Sequence, residues 1–244
     1  MCRMVGVAFT RQFPMGTLND LRHVADVGKI PDEKEPGHRD GWGVVSFQSG
    51  SPRYIGRSPR PMHLDPSFDS ALEDVARLES PNILIAHARA ASTGSATIPN
   101  THPFIVNDIV LGHNGTIKGP LPQTKRTPKG DTDSERLALL IGDRMDEMGA
   151  LKTALKSVIL EDIASNEFTA AILLASDGQR LYGYRDFARE DRADYYDLRI
   201  AKCDGYVAIF QESIMGYCGR VSRVKKGELV SVDLDLTVKR EMLL

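Results

Sequence analysis

The sequence predicts an α+β fold in which antiparallel β-sheets are covered by helices, and three observations predict it. Strand-like apolar runs dominate the first half of the chain, periodic helical segments fill the middle, and strand-like runs return from Phe168 onward. The later runs are joined by hairpin signals such as Asp177-Gly178. Strands and helices do not alternate as βαβ units would, which disfavours a parallel Rossmann-type sheet.

Taken in order, Arg3–Phe9 alternates apolar residues in an extended run, and residues 42–47, 83–87 and 109–112 read as further buried strands. Between them, Phe68, Ala71, Leu72, Val75 and Leu78 recur at helical spacing behind the cap signal Asp65-Pro66-Ser67. Residues 132–148 place Leu137, Leu140, Ile141, Met145 and Met148 on one helical face. The same pattern resumes after Gly149 with Leu151, Leu155, Val158 and Ile159, so two consecutive helices are expected. Residues 169–175, 181–184, Ile200, 207–210 and 229–232 read as the returning strands.

At 244 residues, 41% hydrophobic and 26% charged, the chain has material for a real core. No repeat, low-complexity tract or Gly/Ser linker divides it, so one domain over residues 1–244 is expected. The net charge of −2 gives no field that would draw nucleic acid or an anionic membrane. The local basic stretch 118–129 holds Pro120, Pro122 and Pro128 but no aromatic residue, and reads as a loop. No run approaches the ~18 apolar residues of a membrane span and no signal peptide opens the chain, so a cytoplasmic protein is expected. In that reducing setting Cys2, Cys203 and Cys218 are thiols.

Position separates Cys2 from the other two cysteines, which are assigned to packing. Cysteine is small enough to permit removal of the initiator Met1, and the mature chain 2–244 would then open on a residue carrying both a thiol and an α-amine. The amine, with an ordinary pKa of ~7.7–8.0, can take the proton of its own thiol, so no distant base is required. Arg89 follows the apolar run 83–86 in His87-Ala88-Arg89-Ala90-Ala91-Ser92-Thr93-Gly94, where a guanidinium amid small residues either forms a surface ion pair or forks onto a carboxylate. His113-Asn114-Gly115-Thr116 is either a hairpin turn or a pair of donors, the Asn114 amide and the Gly115 N–H, facing a developing oxyanion. In Gly130-Asp131-Thr132-Asp133, one aspartate is expected to cap the helix and the other to be free for a substrate ammonium. His38, His87, His102 and His113 lack any compact metal-binding spacing and read as hydrogen-bonded scaffold, with no metal and no cofactor expected.

In this order, Cys2, Asp40-Gly41-Trp42-Gly43, His87-x-Arg89, His102-Pro103-Phe104, His113-Asn114-Gly115 and Thr132-Asp133-Ser134-Glu135 resemble the class II glutamine amidotransferases over roughly the first 140 residues. The resemblance implies an N-terminal nucleophile fold, a four-layer αββα sandwich of two antiparallel sheets flanked by helices. It further implies that Cys2 attacks the side-chain amide of glutamine, with Asn114 and Gly115 as the oxyanion hole. Arg89 would bind the α-carboxylate and Asp133 the α-ammonium. Ser92, Thr93 and His102 are placed at the substrate, and Trp42 at the pocket wall. Where larger members read Cys-Gly-Ile, this chain reads Cys2-Arg3-Met4, and the pattern is closer to stand-alone members, whose acceptor is carried elsewhere. Three roles stay open: a glutaminase feeding ammonia to a separate synthase subunit, a self-sufficient hydrolase of γ-glutamyl amides or peptides, and a catalytically silent regulatory subunit. The sequence also leaves homo-oligomerisation open.

Overall fold

The structure is a computed structural model that describes residues 2–30, 35–213, 216 and 218–244. Met1, and with it the expected removal of Met1, lies outside the described residues.

The chain begins with β1 (Arg3–Phe9), α1 (Gly16–Val27), β2 (Trp42–Gln48), β3 (Ser51–Ser58), α2 (Pro66–Val75) and β4 (Asn82–Ala88). It continues through β5 (Phe104–Val106), β6 (Ile109–Ile117), α3 (Asp133–Met148), α4 (Leu151–Ser157) and a π-helical turn over Val158–Ile163. It closes with β7 (Phe168–Ser176), β8 (Arg180–Phe187), β9 (Arg199–Cys203), β10 (Tyr206–Phe210), β11 (Arg220–Arg223), β12 (Glu228–Asp233) and β13 (Val238–Met242). Among the described residues these strands form two sheets, in the orders β11-β9-β10-β1-β4-β2-β3 and β13-β12-β8-β7-β6-β5. Each pairing is antiparallel.

The alternation of side chains along each strand sorts the apolar residues into three clusters, and three clusters separate four layers. Val5, Val7 and Phe9 of β1 face α1 and α2, joining Leu18, Leu21, Phe68 and Val75. Met4 and Ala8 of the same strand face the second sheet and meet Val110, Ile172, Leu174 and Ile209. On the far side, Leu111, Leu173 and Ala175 pack under Leu137, Ile141, Leu151 and Leu155 of α3 and α4. The expected αββα sandwich is therefore the observed one.

Helix ends follow local chemistry. Asp65 caps α2 by accepting from Ser67 N at 3.1 Å, with Pro66 in the first turn. The cap of α3 corrects the sequence expectation: it is Thr132, whose Oγ1 accepts from Glu135 N at 3.2 Å, and neither aspartate caps. Glu135 in turn accepts from Lys129 N and Gly130 N at 2.8 and 2.7 Å, a variant of the reciprocal capping box that also fixes the incoming loop. Gly149, at φ 74°, ends α3 in the left-handed conformation that glycine adopts without strain.

A second correction concerns Asn114-Gly115. The strand does not stop at Gly112 but runs to Ile117, and the pair sits inside β6, opposite Ile172 and Ala171 of β7, with a bulge just beyond. At φ 146° Gly115 occupies space that a side chain could not, since a Cβ there would run into the Ala170 carbonyl. The stretch 118–129 is a loop, as expected.

Candidate active site

Cys2 stands at the head of β1, a central strand of the first sheet between β10 and β4. The register that pairs Arg3 with Ala88 brings Arg89, the residue after β4, beside it. On the other flank, Gln211 N donates to Met4 O at 3.1 Å, carrying the β1–β10 pairing one residue past Phe210. The second sheet contributes Asn114 and Gly115 from β6, and the first turn of α3 contributes Asp133 and Ser134. The site thus lies where the start of β1, the residues just past β4 and β10, and the end of β6 meet the N-terminus of α3.

Cys2 is only 6% exposed. Its backbone N–H donates to Asn114 Oδ1 at 2.9 Å, and its thiol points at the Ala90 carbonyl, 3.8 Å away. Asn114 is fully buried, and its Nδ2 donates to Gln211 Oε1 at 3.1 Å. Cys2, Arg89, Ser92, Thr93, His102, Gly115 and Asp133 line one cavity of about 20 Å³, room for about one water.

Arg89 is buried, and its guanidinium grips the loop that follows it. Nη2 donates to the carbonyls of Thr93 and Gly94 at 2.7 and 3.2 Å, and Nη1 to those of Ser95 and Asp40 at 3.0 and 3.4 Å. Asp40 Oδ2 accepts from Ala91 N at 2.7 Å, tying the same loop to the start of β2. Every one of those guanidinium acceptors is a backbone carbonyl, so the charge is solvated by dipoles and no carboxylate among them neutralises it. Ser92 Oγ shares a hydrogen bond of 3.1 Å with Thr116 Oγ1. Asp133, half-buried in the first turn of α3, accepts from Ile117 N at 2.8 Å.

Two buried histidines, His102 and His113, line this cavity and a third, His87, stacks on His102, and burial favours the neutral form of each. It drives His87 down to about 3 and His102 well below the ordinary imidazole range. His113 is also lowered by burial, against the opposing pull of Asp133. His113 Nε2 donates to the Ala170 carbonyl at 3.3 Å, which leaves Nδ1 to accept from Ser134 Oγ at 2.9 Å. His87 Nε2 donates to the His113 carbonyl at 3.3 Å. His113 and His87 are thus hydrogen-bonded to the frame, whereas both ring nitrogens of His102 are buried without a hydrogen-bond partner among the described residues, its ring instead stacking on that of His87. Among the described residues no cluster of three or more His, Cys, Asp or Glu side chains is arranged to hold a metal.

Two expectations are corrected. Trp42 does not wall the cavity: its indole is fully buried on the opposite face of the first sheet, edge-on to Phe68 at 5.0 Å, with Nε1 donating to Asp65 Oδ2 at 3.1 Å. An alternation argument would have found this, because Trp42 and Val44 both join the cluster under α1 and α2. Of the two cysteines assigned to packing, Cys203 is buried, while Cys218 is exposed with its Sγ 3.1 Å from Tyr206 Oη. Sequence reading also missed Gln211, which carries no motif and reaches the site only through the placement of β10.

Two facing antiparallel sheets between helical layers, with a cysteine heading a central strand, are the architecture of the N-terminal nucleophile hydrolases. Residues 1–201 match the family model for class II glutamine amidotransferases, and the chain belongs to that family. An uncharacterized protein of Methanocaldococcus jannaschii is 27% identical over 248 residues, which cover 97% of this chain and 65% of that protein. A putative glutamine amidotransferase of Haemophilus influenzae is 36% identical over 104 residues, 40% of this chain and 34% of its own. The chain therefore spans less than two thirds of the length of these curated relatives. Among solved structures, a glutamine aminotransferase class-II domain protein from Silicibacter pomeroyi aligns with a TM-score of 0.61 at 19% identity, covering 99% of both chains.

Proposed function

We propose that the protein is a glutaminase that hydrolyses the side-chain amide of glutamine through a thioester on Cys2, releasing glutamate and ammonia. The observation that supports this most is the 2.9 Å hydrogen bond from Cys2 N to Asn114 Oδ1, made between residues of the two sheets. With Met1 removed, that nitrogen is an α-amine already oriented beside its own thiol. The thiol attacks the amide carbonyl as its proton passes to the amine, and the second Asn114 Nδ2 hydrogen and the Gly115 N–H stabilise the oxyanion. Collapse of the tetrahedral intermediate expels ammonia, protonated through the same amine. Water then attacks the thioester and frees glutamate.

Arg89 receives the α-carboxylate and Asp133 the α-ammonium, with Ser92, Thr93 and His102 completing the pocket. A cavity that holds about one water does not hold glutamine. Substrate entry therefore moves the exposed loop after Arg89, and the carboxylate takes over donors that now serve the carbonyls of Thr93, Gly94 and Ser95. In this reading residues 2–244 are one domain, the protein works in the cytoplasm without a cofactor, and the ammonia goes to an acceptor on a separate synthase subunit.

The test is glutamate release from glutamine by protein whose loss of Met1 has been checked by intact mass. Wild type should turn over glutamine, and Cys2→Ala should release none while keeping its circular dichroism spectrum. Equal turnover by Cys2→Ala would sink the proposal, and faster turnover of a γ-glutamyl amide than of glutamine would reassign the substrate.

A further inference from the structure

A carboxamide can be turned end for end with little change in shape, so its function as donor or acceptor depends on what fixes it. Asn114 must present Oδ1 to Cys2 N and keep Nδ2 for the oxyanion. While the Cys2 nitrogen is a peptide N–H it can only donate, and that alone selects the observed orientation. A free amine is different, because its lone pair also accepts. A flipped Asn114 would then donate Nδ2–H to the amine, occupying the lone pair that must take the thiol proton and removing a donor from the oxyanion. Cys2 cannot by itself prevent this in the mature chain.

We propose that Gln211 is the positioning residue that fixes the orientation of Asn114, an inference that rests on the glutaminase reading above. Gln211 is itself 1% exposed, and its backbone is pinned to β1 by the 3.1 Å bond to Met4 O. Its Nε2 donates to the Asp197 carbonyl at 3.3 Å, and a backbone carbonyl can only accept. The polarity of Gln211 is therefore set: Oε1 faces Asn114, and Nδ2 donates to it at 3.1 Å. Asn114 in turn can offer Cys2 only Oδ1, at 2.9 Å. A fixed carbonyl thus dictates, through two amides, which end of the catalytic amide faces the amine. Gln211 is not among the residues that line the cavity, and acts through Asn114.

The experiment compares Gln211→Leu with Gln211→Glu in the Met1-processed full chain, by kcat, KM and melting temperature. Leucine fills the space but cannot accept from Asn114. Glutamate keeps an acceptor toward Nδ2, although it buries an acid in a site built for an amide. The proposal expects kcat of Gln211→Leu to fall by at least about tenfold with KM within about twofold, since losing one oxyanion donor costs on the order of 10² to 10³. It expects Gln211→Glu to recover most of kcat while melting below Gln211→Leu, so that activity and stability rank the two variants in opposite order. Leucine within about twofold of wild-type kcat, or losses in both variants that follow their melting temperatures, would overturn it while leaving the glutaminase reading intact. Inactive wild type would overturn both.

Discussion

The rings of His87 and His102 stack with centroids 4.4 Å apart and planes 10° apart, two imidazoles in contact and both uncharged. Burial first, then neighbouring positive charge, keeps them so, with His87 at about 3 and His102 well below its ordinary value. In the unfolded chain both protonate near 6.5. The unfolded state therefore binds more protons as pH falls below that value, and stability that is complete above about pH 6.5 is lost progressively toward about pH 3. The slope reaches about 1.4 kcal/mol per pH unit for each such histidine. Urea midpoints at pH 7 and pH 5 should show the loss, and His87→Gln, with no ring to protonate, should show a smaller one.

Gly115→Ala should be strongly destabilising. The residue holds φ 146°, and a Cβ would meet the Ala170 carbonyl. Strain and overpacking together cost about 3 kcal/mol, or a melting temperature lower by roughly 6–12 °C in a chain of this size.

Trp42→Phe separates a core role from a pocket role. It removes the donor to Asp65 Oδ2, a carboxylate that also caps α2. Stability should drop by about 1–3 kcal/mol, while KM for glutamine stays at the wild-type value. A raised KM would return Trp42 to the pocket wall.

Arg89→Lys keeps the charge and loses the fork. One ammonium cannot span the carbonyls of Asp40, Thr93, Gly94 and Ser95, nor meet a carboxylate in two places. Loss of one charge-assisted hydrogen bond, about 1.5–3 kcal/mol, corresponds to a roughly 10- to 100-fold rise in KM with a smaller effect on kcat. Initial rates over a range of glutamine concentrations check this.

The buried strands were legible because their side chains alternate or run continuously apolar, as β1, β4 and β7 do. β3 was not, since its burial follows no period of two and Pro52 and Arg53 interrupt it. α1 was missed for a different reason. It has no side-chain cap and no acidic residue in its first turn, although Leu18, Leu21, Val24 and Ala25 carry a helical spacing that could have revealed it. Among the motif residues, Arg89 follows the end of β4 and Asp133 opens α3, positions that a break in the apolar pattern marks, whereas Asn114 and Gly115 lie inside β6 and carry no such mark. Gln211 was not legible, because its partner Asn114 is 97 residues away and the contact exists only once β10 lies against β1. The turn reading of Asn114-Gly115 failed because strand pairing with β7 absorbed a dipeptide that, in isolation, reverses the chain.

Cys2 heads a strand of one sheet and Asn114 belongs to the other, and the interlayer core of residues such as Met4, Val110, Ile172 and Ile209 holds the two sheets at the spacing that lets them meet. The proposed reactive centre is therefore a gauge of assembly: a chain that had formed one sheet alone would hold Cys2 without Asn114, or Asn114 without Cys2. On the glutaminase reading, activity then requires two separate events, closure of the two sheets on each other and removal of Met1.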